Sequence, residues 1–128
     1  MDIAKQISYW KAGADEELLA AKSLYRDKFY SQSLFHAHLA LEKIIKAHVC
    51  RKTKSFAPLL HNLNRLAETA QLNLPDNYID VLADMNSYNL AGRYPDQIRG
   101  GVSVEECRAK LAQCEEVLKW LIAELLKA

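Results

Sequence analysis

Apolar residues recur every three or four positions from the start of the chain, at Ile3, Ile7, Trp10, Ala14, Leu18, Ala21 and Tyr25. That spacing matches a helix with one inward face, and it predicts a long first helix. Asp27 and Lys28 interrupt the pattern and predict a tight turn. Leu34, His38, Leu41, Ile45 and His48 then resume the same period in a second helix. Its end is marked by the basic, non-periodic stretch CRKTKSFAP before Pro58. A connection this short makes the two helices antiparallel neighbours.

A shorter amphipathic segment follows, with Leu63, Leu66 and Ala70 inward, and Pro75 stands near the start of a helix carrying Tyr78, Leu82 and Met85. Gly92, Pro95, Gly100 and Gly101 break the pattern, so YNLAGRYPD, Tyr88 to Asp96, reads as a turn. Ser103 and Glu106 form the S-x-x-E capping box, in which hydroxyl and carboxylate satisfy unpaired amides at a helix start. Val104, Cys107, Leu111, Cys114, Leu118, Leu121 and Leu125 then hold a heptad, which is a packing face. The bundle's own core can fill that face, so it does not prove oligomerisation. No strand-like alternation and no repeat is visible. The pattern predicts an all-α fold, an up-and-down bundle of four to five helices, as a single domain over residues 1–128.

Composition narrows the function without fixing it. The 128 residues suffice for one core, and 17 basic against 16 acidic residues leave no global charge to argue for nucleic acid or membrane. No apolar run approaches the ~18 residues needed to span a bilayer, and the first residues lack the apolar core of a secretory signal, which points to a cytoplasmic protein. Cys50, Cys107 and Cys114 form an odd set without C-x-x-C, so neither a disulfide framework nor a zinc site is expected. Cys107 and Cys114 read as small buried thiols.

Three histidines, His36, His38 and His48, fall on the second helix, but no Glu-x-x-His or H-E-x-x-H accompanies them. His38 and Glu42, one turn apart, read as a polar pair rather than as metal ligands. No metal and no cofactor is expected. Phosphate-binding glycine loops and nucleophile motifs are absent, and Asp15, Glu16, Glu17, Glu115 and Glu116 sit where a solvated helix face needs them. Between Glu42 and Lys54 there are five cations, Lys43, Lys46, Arg51, Lys52 and Lys54, against one acid. Such a cluster can attract phosphate, or it can simply complement the negative end of a helix dipole. In YNLAGRYPD, Tyr88, Arg93 and Tyr94 can stack on a base and pair with phosphate, or clamp the loop internally.

Three segments together resemble the HEPN domain, a helical family of prokaryotic nucleotide-binding and RNA-cleaving proteins. YSQSLFHAHLALEKIIKAHV, Tyr30 to Val49, is similar to its aromatic, small-residue and Glu-Lys pattern. HNLNRLAE, His61 to Glu68, is similar to its His-Asp-Leu helix start, with Asn62 in the Asp position. YNLAGRYPD is similar to its Tyr, then Ala, Arg, Tyr, Pro signature, with Gly92 inserted between Ala91 and Arg93. With Trp10 and the first-helix acids, the resemblance spans nearly the whole chain. It implies a bundle that dimerises around a cleft, and often a minimal nucleotidyltransferase partner encoded alongside in a toxin-antitoxin-like pair. It also implies, for many members, metal-independent RNA cleavage by Arg, four to six residues, then His.

That last motif is absent. His61 is the final histidine, and Arg26 to His36 and Arg51 to His61 each enclose nine residues, while no histidine follows Arg93. The resemblance therefore implies a non-catalytic dimer that binds nucleotide or RNA, or that serves as substrate-binding partner of a nucleotidyltransferase. Lys43 and Lys46 are expected to contact phosphate, Arg93 to pair with phosphate or a partner acid, Tyr94 to stack and His61 to orient the ligand. The rival expectations are a ribonuclease with a non-standard site, built from Arg93 with His61, and a pure assembly module.

Overall fold

The computed structural model describes residues 2–93 and 101–127, and for residues 90–93 the backbone alone. Among the described residues five helices follow in order: α1 (Ile3–Arg26), α2 (Tyr30–Thr53), α3 (Leu63–Thr69), α4 (Asp76–Arg93) and α5 (Val104–Leu125). Among the described residues there is no strand. Asp2 caps α1 by accepting from the Lys5 amide at 3.1 Å. The helix closes with paired bonds from Lys28 N to Tyr25 O and from Phe29 N to Leu24 O. These are the two bonds of a Schellman turn, and Lys28 takes its left-handed position at φ 69°. The expected tight turn at Asp27 and Lys28 is thus present.

The reversal lays α1 antiparallel along α2. Ala14 and Ala21 on one side and Ala37, Ala40 and Ala47 on the other are all buried, and small side chains let the two backbones approach closely. Ser33 Oγ, also buried, donates to Ala21 O at 2.7 Å across this seam. α2 carries the core: Leu34, Leu41, Ile44 and Ile45 are fully buried, and the helix packs against each of the other four. Contacts between Asp84 and Lys110 and between Tyr88 and Glu106 set α4 antiparallel to α5. Cys107 Sγ lies 3.7 Å from Tyr30 O and His48 meets Leu121 O, so α5 runs parallel to α2. The four long helices therefore alternate up and down, with α3 as a short link between α2 and α4.

The heptad of α5 is filled from within. Cys107, Leu111, Cys114, Leu118, Leu121 and Leu125 are buried in the one core, and Val104 is half-buried. Ser103 Oγ accepts from Glu106 N at 3.1 Å, one half of the expected capping box. The other half is diverted, because the Glu106 carboxylate accepts from Tyr88 Oη at 2.5 Å.

Two expectations are corrected. Tyr88 to Arg93 is not a turn but the last stretch of α4. Tyr88 is buried against α5, and that packing outweighs the cost of Gly92 inside a helix, about 1 kcal/mol. Tyr94 to Asp96 lie outside the described residues. Nor do all the first-helix acids sit on a solvated face: Glu17 is largely buried and spans to α2, where His36 Nδ1 is at 2.9 Å and Lys43 Nζ at 3.2 Å.

Candidate functional site

On α2, His38, Glu42 and Lys46 are spaced four apart and so stack on one stripe, and all three are buried. Charged groups at such positions cost several kcal/mol unless they are paired and hydrogen-bonded. Glu42 meets that condition as a hub. Its Oε2 accepts from Lys46 Nζ at 3.1 Å, and His61 Nδ1 is 3.2 Å from both of its oxygens. His38 Nδ1 stands 3.9 Å from Oε1. The Lys46 ammonium also lies 5.2 Å from the centre of the Trp10 ring on α1, where the indole face attracts a cation.

His61 comes from a different part of the chain and is set by α3. Asn62 is the N-cap, its Oδ1 accepting from Arg65 N at 3.0 Å, so His61 is the residue just before the helix. The start of α3 is itself tied to α4, because Asn86 Oδ1 accepts from Leu63 N at 2.8 Å and Asn86 Nδ2 donates to Asn64 Oδ1 at 2.9 Å. The imidazole is thereby held over Glu42 while 44% of its side-chain surface stays open. A carboxylate on Nδ1 requires that nitrogen to donate, which leaves Nε2 as the available atom. Among the described residues no hydrogen bond occupies Nε2.

A second ion pair lies beside it, where the next residue, Lys43, reaches Glu17 on α1. Gly13 makes room for it, since a Cβ there would stand 3.0 Å from Lys43 Cδ. The structure thus brings Lys46 and His61 together on Glu42 and places Lys43 on a neighbouring carboxylate. Neither lysine offers an unpaired charge, and Lys46 is inside the bundle, because the carboxylates of Glu42 and Glu17 lie within ion-pair distance. Arg93 is the last residue of α4, its side chain outside the described set, and Tyr94 lies wholly outside it. Glu42 is the group that sequence reasoning undervalued. The signal for it was local, a carboxylate with His and Lys one turn to either side. Among the described residues no group of His, Cys, Asp and Glu is gathered as a metal site would require.

Comparison with known proteins bears on the fold and the family. A model of the HEPN domain matches residues 7–125. The crystal structure of TT1696 from Thermus thermophilus superposes with a TM-score of 0.80 at 20% identity, covering 94% of this chain and 98% of that one. The structure of ST0689, an archaeal HEPN homologue, superposes with a TM-score of 0.73 at 16% identity, covering 93% and 97%. At these identities the superpositions carry the fold alone. No curated protein matches the chain. The family model covers α2 to α5, all but the first four residues of α1 and the three segments that carry the resemblance, and this chain belongs to the HEPN domain family.

Proposed function

We propose that this HEPN protein is non-catalytic and acts in the cytoplasm as a dimeric module that binds nucleotide or RNA, or that serves as substrate-binding partner of a minimal nucleotidyltransferase in a toxin-antitoxin-like pair. One observation carries this reading: an exposed imidazole is clamped by a buried carboxylate at the surface of an otherwise neutralised cluster. Such a group orients a ligand through a single nitrogen. Because Lys43 and Lys46 are compensated by Glu17 and Glu42, they tune the field beneath the ligand, and direct phosphate pairing falls to Arg93 with Tyr94 stacking on a base. The absence of any histidine after Arg93 supports binding without cleavage.

The test is direct binding of labelled nucleotides and a short RNA to wild type and to Arg93→Ala, together with co-purification from cells expressing the candidate nucleotidyltransferase. Binding weakened roughly tenfold or more by the substitution, worth about 1.4 kcal/mol, is expected. If wild type binds neither nucleotide nor RNA and retains no nucleotidyltransferase, the proposal fails.

A second reading, RNA cleavage at His61 with Arg93, draws on the same clamp, since a carboxylate on Nδ1 is also how a general base is oriented. RNA cleaved by wild type and left intact by Arg93→Ala would favour it.

A further inference from the structure

The four cations of α2 and Lys54, its C-cap, do not form one patch. Lys43 and Lys46 are paired near its middle, whereas Arg51, Lys52 and Lys54 stand at its far end, where the structure opens a groove of about 490 Å³. That volume is within the usual range of small-molecule sites. Arg51, Lys52 and Lys54 from the end of α2, Gln71 and Asn73 of the α3–α4 connection and Trp120 of α5 line it. The one acid on the lining, Glu124, is engaged by Lys127 at 2.7 Å.

Each basic group is set differently. Arg51 is fixed: Nη1 donates to Leu125 O at 2.6 Å and to Glu124 O at 3.3 Å, and Nη2 faces His48 Nδ1 at 3.4 Å. This satisfies the last carbonyls of α5 and anchors a guanidinium at the groove's edge. Lys52 and Lys54 are exposed and have no carboxylate partner among the described residues.

Complementing the α2 dipole would explain a lysine anywhere in the last turn, and Lys52 already supplies one. It does not explain Lys54, which ends the helix in the left-handed region at φ 57°. Gln71, across the groove, ends α3 the same way at φ 53°. Glycine is the inexpensive residue at both places, yet both carry long polar side chains on the lining of one cavity.

We propose that this groove is a second binding site, for a small molecule bearing a phosphate monoester or diphosphate, separate from the cluster at Glu42. Lys52 and Lys54 neutralise the phosphate, the remaining N–H groups of Arg51 and the amides of Gln71 and Asn73 donate to its oxygens, and Trp120 lies beside the organic part.

The two tryptophans separate the sites experimentally, because Trp10 belongs to the Glu42 cluster and Trp120 to the groove. In Trp10→Phe the emission of Trp120 is read alone while pyrophosphate, AMP, or a short oligoribonucleotide with or without a 5′-phosphate is titrated. In wild type the backbone amides of Gln71 and Asn73 are followed by NMR over the same titrations. Expected are a saturable change with phosphate-bearing ligands and a tenfold or greater loss of affinity in Lys52→Gln/Lys54→Asn. Asparagine tolerates the left-handed conformation, so the double variant should keep its melting temperature. A response to AMP but not to the phosphorylated oligonucleotide assigns a free small molecule; the reverse assigns an RNA end and overturns the small-molecule ligand. Signals that do not saturate, that match sodium chloride at equal ionic strength, or that survive the double variant overturn the site. Arg93-dependent binding is measured in the Lys52→Gln/Lys54→Asn background, where the groove no longer takes up phosphate, so failure here and failure of that binding are read independently.

Discussion

His48 sits fully inside the bundle with both ring nitrogens committed. Nε2 lies 2.8 Å from Leu121 O, a carbonyl that can only accept, so Nε2 carries the proton and Nδ1 presents its lone pair towards Arg51. Burial pushes the imidazole pKa below 6.5, the nearby Arg51 charge adds to this, and the Leu121 bond and Glu124 oppose it. Below the ordinary value the unfolded chain takes up a proton that the folded one resists. The stabilisation is therefore complete above about pH 6.5 and is lost as pH falls towards the folded-state value, at up to about 1.4 kcal/mol per pH unit. Urea midpoints should fall between about pH 7.5 and pH 5.5, and His48→Gln should flatten that slope; an equal slope in the variant would place the effect elsewhere. The buried thiols follow the same logic with opposite sign. Desolvation raises Cys50 and Cys107 and pushes Cys114 up to about 12, so all three stay protonated and inert at neutral pH. Burial and the Glu106 carboxylate likewise raise the Tyr88 phenol, keeping it the donor in that pair.

Among the elements, α3 shows most clearly how structure serves the site. Seven residues are too few for a helix to persist alone in water, so α3 depends on its caps and on what it packs against. Leu63 and Leu66 are fully buried, Asn62 satisfies one open amide and Asn86 another. Its Schellman ending at Gln71 then turns the chain towards α4. Asn62→Ala should cost about 1 kcal/mol in chemical denaturation, the usual worth of an N-cap, and should loosen His61, its immediate neighbour. Loss of ligand affinity in this variant without any loss of stability would mean that Asn62 touches the ligand rather than holding the helix.

Across the whole molecule, α2 is the element that every other helix packs on, and cooperativity follows from that arrangement. Leu41→Ala, at a fully buried position of α2, should lower the unfolding free energy by about 2–5 kcal/mol while leaving one sharp transition with an unchanged denaturant slope. A second transition would show that α4 and α5 form a unit of their own. No helix among the described residues is long and apolar enough to cross a membrane, and every buried stripe faces the same core.

Helix order, the inward faces and every helix end but that of α4 could be read along the chain, because periodicity and capping are properties of neighbours in sequence. Ile7 to Tyr25, the heptad of α5 and the Ser103 cap were all legible for that reason. The fate of the charges was settled by packing. Glu42 with His61 and Glu17 with His36 are each 19 residues apart, and such pairs depend on how two helices are rotated and registered against each other. The same register consumed Lys43 and Lys46, drew Tyr88 into the core and left Lys52 and Lys54 facing an open groove. Charge counted along a sequence is only potential chemistry; packing settles which part of it is cancelled inside the fold and which part still meets solvent.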